Sequence, residues 1–249
     1  GSEMCIRDRY KKALDTDLAR PKFAIMNPEI TYTLPDYQTQ CGCADIMMHT
    51  MERYFVLEDT MEITDKIAQD VMKNVMKYAK ILKKDPENYE ARAEIMWCGS
   101  LSHNGLTGCG TCGGDWATHL IEHELGGMFD VAHGAGLAAV WGSWARYVMD
   151  EKPERFAQFA VDVMGVEESD DVKSTALKGI EAVEEFYRMI EMPTNMKELG
   201  INPTDEQIKD MAMKATNHDT QQLGAFKKLS AKDLVEILSL IHISEPTRP

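Results

Sequence analysis

Five side chains set out the chemistry this sequence can do. Asp45 and His49 stand four apart in Asp45-Ile-Met-Met-His49, and His119 and His123 stand four apart in His119-Leu-Ile-Glu-His123. His133 follows ahead of Gly134-Ala-Gly136. On a helix, a spacing of four stacks two side chains on one face, a turn apart. Three histidines and one carboxylate from two helices are enough to surround a divalent transition metal. A lone helical histidine is most often a surface or satisfied core residue. Five His and Asp positions sharing one spacing pattern argue for a site.

Those donors meet only if the elements carrying them pack together, and the periodicity predicts an all-α, bundle-like unit. Ile63, Ile67, Val71 and Val75 recur every four residues between Met61 and Leu82, an apolar stripe on one helix. Further helical patterns run over about 89–101, 153–164 and 171–190. Thr204-Asp-Glu-Gln207 has capping-box form ahead of Ile208 and Met211, and Ser230 to Asp233 repeats the device ahead of Leu234 and Ile237. Short β-like stretches are expected only near the start, at Phe23–Met26 and Thr31–Leu34. The glycines of Gly126-Gly127 and Gly134-Ala-Gly136 are expected to bracket a break, placing His133 in or just after a loop. Asp115 is placed to cap the helix of His119. Trp116 and Met47–Met51 read as packing, and His218 as solvent-facing. His103, in Ser102-His-Asn-Gly, is a candidate for the substrate pocket. Glu122 and Glu124 flank His123 at about 100° to either side on a helix, in solvating or supporting roles.

The 249 residues allow one or two domains and a full-sized core. A hydrophobic fraction of 44% with 27% charged residues is ordinary for a globular chain. No apolar run reaches the roughly 18 residues needed to span a bilayer, and a net charge of −14 disfavours nucleic acid and anionic membranes as partners. With no secretory signal, a cytoplasmic protein with six reduced cysteines is expected. Cys109-Gly-Thr-Cys112 lacks the second pair a zinc site needs. Cys41 and Cys43 lie close enough to Asp45 to leave room for a metal-perturbed thiol. Both termini read as foreign: residues 1–9 as a tag plus an adapter-like stretch, and 238–249 as an adapter-like tail. Residues 10–237 are then the native helical metal-binding domain, and Cys5 and His242 carry no functional information.

The pattern resembles the iron-containing (group III) alcohol dehydrogenases, in their butanol dehydrogenase and NADPH-dependent aldehyde reductase branch. The resemblance runs from Arg20-Pro-Lys-Phe through Asp45-Ile-Met-Met-His49, Asp115-Trp-Ala-Thr-His119, Glu122-His-Glu-Leu and Ala132-His-Gly-Ala-Gly136 to Phe226-Lys-Lys-Leu. It implies the C-terminal metal-binding half of such an enzyme. It places the metal ligands at Asp45, His49, His119 and His133, and puts His123 beside the nicotinamide as a proton-relay residue. Four protein ligands leave an open position at which an alcohol or aldehyde oxygen is polarised. The donor set suits Fe(II) or Zn(II) alike.

The family's NAD(P)-binding half carries a glycine-rich pyrophosphate loop, and this sequence has no such run and no G-x-G-x-x-G opening a helix. Gly108, Gly110, Gly113 and Gly114 are its densest glycines, ahead of the His119 helix. Three functions therefore stay open. The chain is a truncated alcohol dehydrogenase or aldehyde reductase domain, acting with NAD(P) on a small alcohol or aldehyde. Alternatively it is a metal-dependent hydrolase using an activated water with His123 as base, or a non-catalytic metal-binding domain. Self-association through surface uncovered by a missing half is expected in any case.

Overall fold

Proline and polar caps divide the chain into helices. Pro35, in an extended conformation, precedes α1 (Asp36–Tyr54). The Asn88 side chain accepts from the Ala91 backbone N–H at the start of α3 (Tyr89–His103), and Asp171 caps α7 (Val172–Met189) in the same way. Between and beyond these lie α2 (Glu62–Leu82), α4 (Ala117–Phe129), α5 (His133–Val148), α6 (Pro153–Asp162), α8 (Asp205–Ala215) and α9 (Ala231–Ile243). The Thr204/Gln207 capping box is formed, as is the Ser230/Asp233 pair ahead of α9. The computed structural model describes residues 2–7, 10–16, 18, 21–58 and 61–243, with backbone alone for 2–7, 10, 12–15 and 242–243.

The class is all-α, with a two-stranded antiparallel hairpin, β1 (Ser2–Arg7) and β2 (Tyr10–Asp15), lying against α4. The expected β-like stretches are not strands. Phe23–Met26 has no regular structure, and Pro28–Thr31 is a 3-10 turn, because Asn27 caps the Glu29 N–H and Pro28 fixes its first position. Helix α4 runs straight through Gly126 and Gly127, so the break falls at residues 130–132 and His133 is the first residue of α5.

Helix α5 is buried around nearly its whole circumference and packs against α1, α4, α7 and α9. A helix apolar on all sides belongs at the centre of a bundle. Trp141 and Trp144 from α5 meet Phe55, Phe156, Phe159 and Phe226 in one continuous core, with Phe55 and Phe156 stacked at 4.4 Å. On α2 the buried face is Ala68, Val71, Met72, Val75, Ala79 and Leu82, while Ile63 is exposed. A strict four-residue row advances about 40° per step, so the predicted stripe winds off the buried face at its N-terminal end. Met47, Met48 and Met51 are wholly buried packing residues.

One ion pair ties the frame together. The Arg155 guanidinium donates to both Asp65 oxygens, at 2.6 and 2.7 Å, and to Tyr54 O at 2.7 Å, with both side chains buried. It joins α6 to α2 and to the end of α1. The stretches 1–9 and 238–249 lie in part outside the described residues, as do the side chains of Cys5 and His242. Leu238 and Ile241 of α9 are buried in the core. No helix among the described residues is long and apolar enough to cross a membrane.

Candidate metal centre

The packing of α1, α4 and α5 brings the predicted donors to one point. Asp45 Oδ1 stands 3.5 Å from His49 Nε2, 3.5 Å from His119 Nε2 and 3.6 Å from His133 Nε2. Donors bound at about 2.1 Å around a tetrahedral ion lie about 3.4 Å apart, and these three separations from Asp45 match that spacing. The donors of Asp45, His49 and His119 lie within 4.8 Å of one another, as do those of Glu122, His123 and His133. Asp45 Oδ1 and His119 Nε2 are buried without a hydrogen-bond partner among the described residues. Two facing, unsatisfied buried groups are costly unless something sits between them. Three imidazole nitrogens and a carboxylate oxygen therefore fit a divalent ion.

The local sequence explains how α4 presents His119. Trp116, immediately ahead of α4, adopts a left-handed conformation (φ 64°), which costs a non-glycine residue about 1–3 kcal/mol. The fold holds it there through Asp115, whose Oδ1 accepts from Ala117 N and whose Oδ2 accepts from Ala225 N and Phe226 N. Glu52 on α1 completes the clamp. Its backbone oxygen accepts from Asp115 N, its Oε1 accepts from His119 N at 3.1 Å, and its Oε2 takes the Nδ1–H of His119 at 2.7 Å. Burial pushes the Asp115 carboxyl up to about 6 despite the backbone bonds.

The glycines after His133 have separate reasons. A Cβ at position 134 would stand 2.0 Å from Cys41 O, so Gly134 lets α5 meet the α1 backbone. A Cβ at position 136 would stand 2.8 Å from Glu122 Cγ, so Gly136 makes room for Glu122. Glu122 is fully buried and accepts a very close hydrogen bond from His133 Nδ1. Lys11 of the hairpin enters here too, 2.9 Å from Glu122 Oε2 and 3.0 Å from His133 Nδ1.

Charge at the centre is strongly perturbed. Burial opposes ionisation of Asp45, but contact with His119 and attraction by the surrounding histidines hold its carboxyl well below the usual range. Burial pushes His49 down to about 2. Burial also disfavours the His119 cation, yet Glu52 and Asp45 overcome it and raise that imidazole to about 9. His123 lies off the four-donor cage. Its ring is 5.8 Å from that of His133, and burial together with Lys11 lowers it to about 4, so it is neutral at pH 7. Cys41 and Cys43 are not perturbed toward thiolate: burial raises both, Cys43 to about 12. Cys109 and Cys112 are free and exposed.

Four residues join the site that spacing alone did not put there. His103 lies with its ring 3.8 Å from that of His49 and its Nε2 3.9 Å from Asp45 Oδ2, half open to solvent. Trp116 is a wall of the centre, its ring 5.4 Å from both His49 and His119. Glu52 was legible in principle, since positions 45, 49 and 52 share one face of α1. Lys11 has no sequence signal, because it is 111 residues from Glu122. His218 is exposed, as expected.

Residues 39–241 match the family described as "Fe-containing alcohol dehydrogenase family, C-terminal". The chain belongs to the iron-containing alcohol dehydrogenase family. It is 33% identical over 228 residues to NADH-dependent butanol dehydrogenase A of Clostridium acetobutylicum, covering 91% of this chain and 58% of that protein. It is also 33% identical over 215 residues to the NADPH-dependent aldehyde reductase YqhD of Escherichia coli, covering 86% and 54%. Its fold superposes on the crystal structure of NADH-dependent butanol dehydrogenase A from Thermotoga maritima with a TM-score of 0.89 at 32% identity, covering 97% of this chain and 62% of that one. The chain thus spans somewhat more than half the length of the relatives it matches. Among the described residues no strand leads through a glycine-rich turn into a helix.

Proposed function

We propose that this chain is the metal-binding half of an alcohol dehydrogenase or aldehyde reductase, with Asp45, His49, His119 and His133 as the ligands of one divalent ion. The observation that carries this is the convergence of three imidazole Nε2 atoms on Asp45 Oδ1 at 3.5–3.6 Å. A bound Fe(II) or Zn(II) supplies Lewis acidity toward an alcohol or aldehyde oxygen. His123, neutral at pH 7 and beside the cage, is placed to accept or return a proton at a ring nitrogen. Trp116 and the His49/His103 stack wall the centre. NAD(P) enters this reading through the family alone.

The reading extends to association. Phe23 and Ile25 are 80% and 84% exposed ahead of α1, and apolar side chains so placed favour burial against another surface. Sedimentation should show concentration-dependent self-association that Phe23→Ser with Ile25→Ser reduces.

The deciding experiment is metal analysis of the purified chain followed by NAD(P)H oxidation with butanal. One Fe(II) or Zn(II) per chain with chelator-sensitive turnover supports the proposal in full. Metal without turnover restricts it to the metal centre and makes ester hydrolysis, the activated-water alternative, the next assay. A chain that takes up no metal refutes it.

A further inference from the structure

The two buried carboxylates behind the centre have a role that ligand spacing does not reveal. Glu52 is 1% exposed and Glu122 wholly buried, and each meets the Nδ1 of one histidine whose Nε2 faces Asp45. An ionised carboxylate only accepts, so it requires the proton on Nδ1. When the ring carries one proton, as it must to bind an ion, the lone pair is then on Nε2. The structure spends specific features on this arrangement: Gly136 vacates the space Glu122 fills, and Glu52 holds His119 through both its ring and its backbone N–H. By contrast, the Nδ1 of His49 has no partner among the described residues.

Resting on the metal-centre reading above, we infer that Glu52 and Glu122 are positioning residues that fix His119 and His133 in the tautomer able to bind a metal through Nε2. Lys11 opposes Glu122. Its ammonium, 3.0 Å from His133 Nδ1, donates only, so paired with that nitrogen it demands the opposite tautomer. Glu122 wins because it accepts from both groups at once, from Lys11 at 2.9 Å and from His133 more closely still.

Isosteric amides separate this role from simple loss of charge. In Glu52→Gln the backbone N–H of His119 is a fixed donor, so the amide oxygen must face it and the amide NH2 faces Nδ1. That drives the proton to Nε2 and blocks ligation. In Glu122→Gln the amide oxygen can turn to serve both Lys11 and His133, with the NH2 toward the side where Oε1 now has no partner, so the tautomer survives. Glu122→Leu removes the acceptor and leaves Lys11 to set it.

The test is Co(II) affinity by chelator competition, with the Co(II) absorption spectrum and the metal-free melting temperature measured alongside. Supporting carboxylates typically carry about 10–100-fold in metal affinity. The expected result is that order of loss in Glu52→Gln and Glu122→Leu, an altered Co(II) spectrum in both, and only a few-fold loss in Glu122→Gln. Equal weakening of the two amides would reduce the role to charge, and wild-type affinity in Glu52→Gln would remove it; either overturns the inference. Should Glu52→Gln fail to fold, the contrast between Glu122→Gln and Glu122→Leu decides alone. A wild-type chain that binds no Co(II) instead refutes the metal centre itself.

Discussion

Replacing His119 with alanine should destabilise the protein twice over, and the two losses can be measured apart. The first is present without metal. Glu52, 1% exposed, loses the imidazole 2.7 Å away and keeps only the His119-position backbone N–H as a partner for its side chain. Stranding one member of a buried charged pair costs about 3–5 kcal/mol. For a domain of this size each kcal/mol moves the melting temperature by about 2–4 °C, so the metal-free variant should melt roughly 10 °C below wild type. The second loss is linked to binding. The four donors come from α1, α4 and α5, and an ion held only by the folded chain at a thousandfold excess over Kd adds about 4 kcal/mol. Wild type should therefore gain about 10 °C more on adding Zn(II), and the variant should gain little. The assay is a calorimetric or fluorescence melt of both chains, with chelator and with Zn(II). A metal-free variant that melts with wild type would refute the structural role of the Glu52–His119 pair. A variant that keeps the full Zn(II)-dependent rise would refute its role as a ligand.

Other substitutions test separate parts of the account. His123→Ala should keep full metal content by elemental analysis while lowering any NAD(P)H-linked turnover by about 10²–10⁴-fold, the usual worth of general acid–base catalysis; loss of metal would make His123 a ligand. Arg155→Ala removes the guanidinium that donates to both oxygens of the buried Asp65 carboxylate and should lower stability to denaturant by about 3–5 kcal/mol, and a change under 1 kcal/mol would count against the pair as a tie between α6 and α2. Burial raises Glu124 from 4.5 to about 7, with Lys214 lowering it and Asp210 raising it. Between those values the folded chain binds a proton that the unfolded chain has released. This group's contribution to stability therefore falls as pH rises from about 4.5 to about 7 and is level above. Glu124→Gln should remove that slope and be more stable than wild type at pH 8 by about 1 kcal/mol, and unchanged pH profiles by denaturant titration would contradict the shift.

Much of this protein was legible in its residue order because the signals are local. Capping residues mark helix starts by satisfying orphan N–H groups within three positions, which is why α7, α8 and α9 begin where Asp171, Thr204 and Ser230 place them. Spacings of four set Asp45 with His49, and His119 with His123, on shared helix faces for the same local reason. Thr31–Leu34 reads as β, yet the 3-10 turn Pro28–Thr31, set by Asn27 and Pro28, takes in Thr31, and 32–34 are turn and bend. Other features depend on partners far along the chain. Nothing in the sequence pairs Glu52 with His119, Lys11 with Glu122, or His103 with His49, because those contacts exist only once α1, α3, α4, α5 and the hairpin are docked. The sequence by itself determined which donor atoms are available and which faces carry them. The tertiary structure decided which nitrogen of each imidazole looks inward, since that depends on buried carboxylates 67 and 11 residues away along the chain.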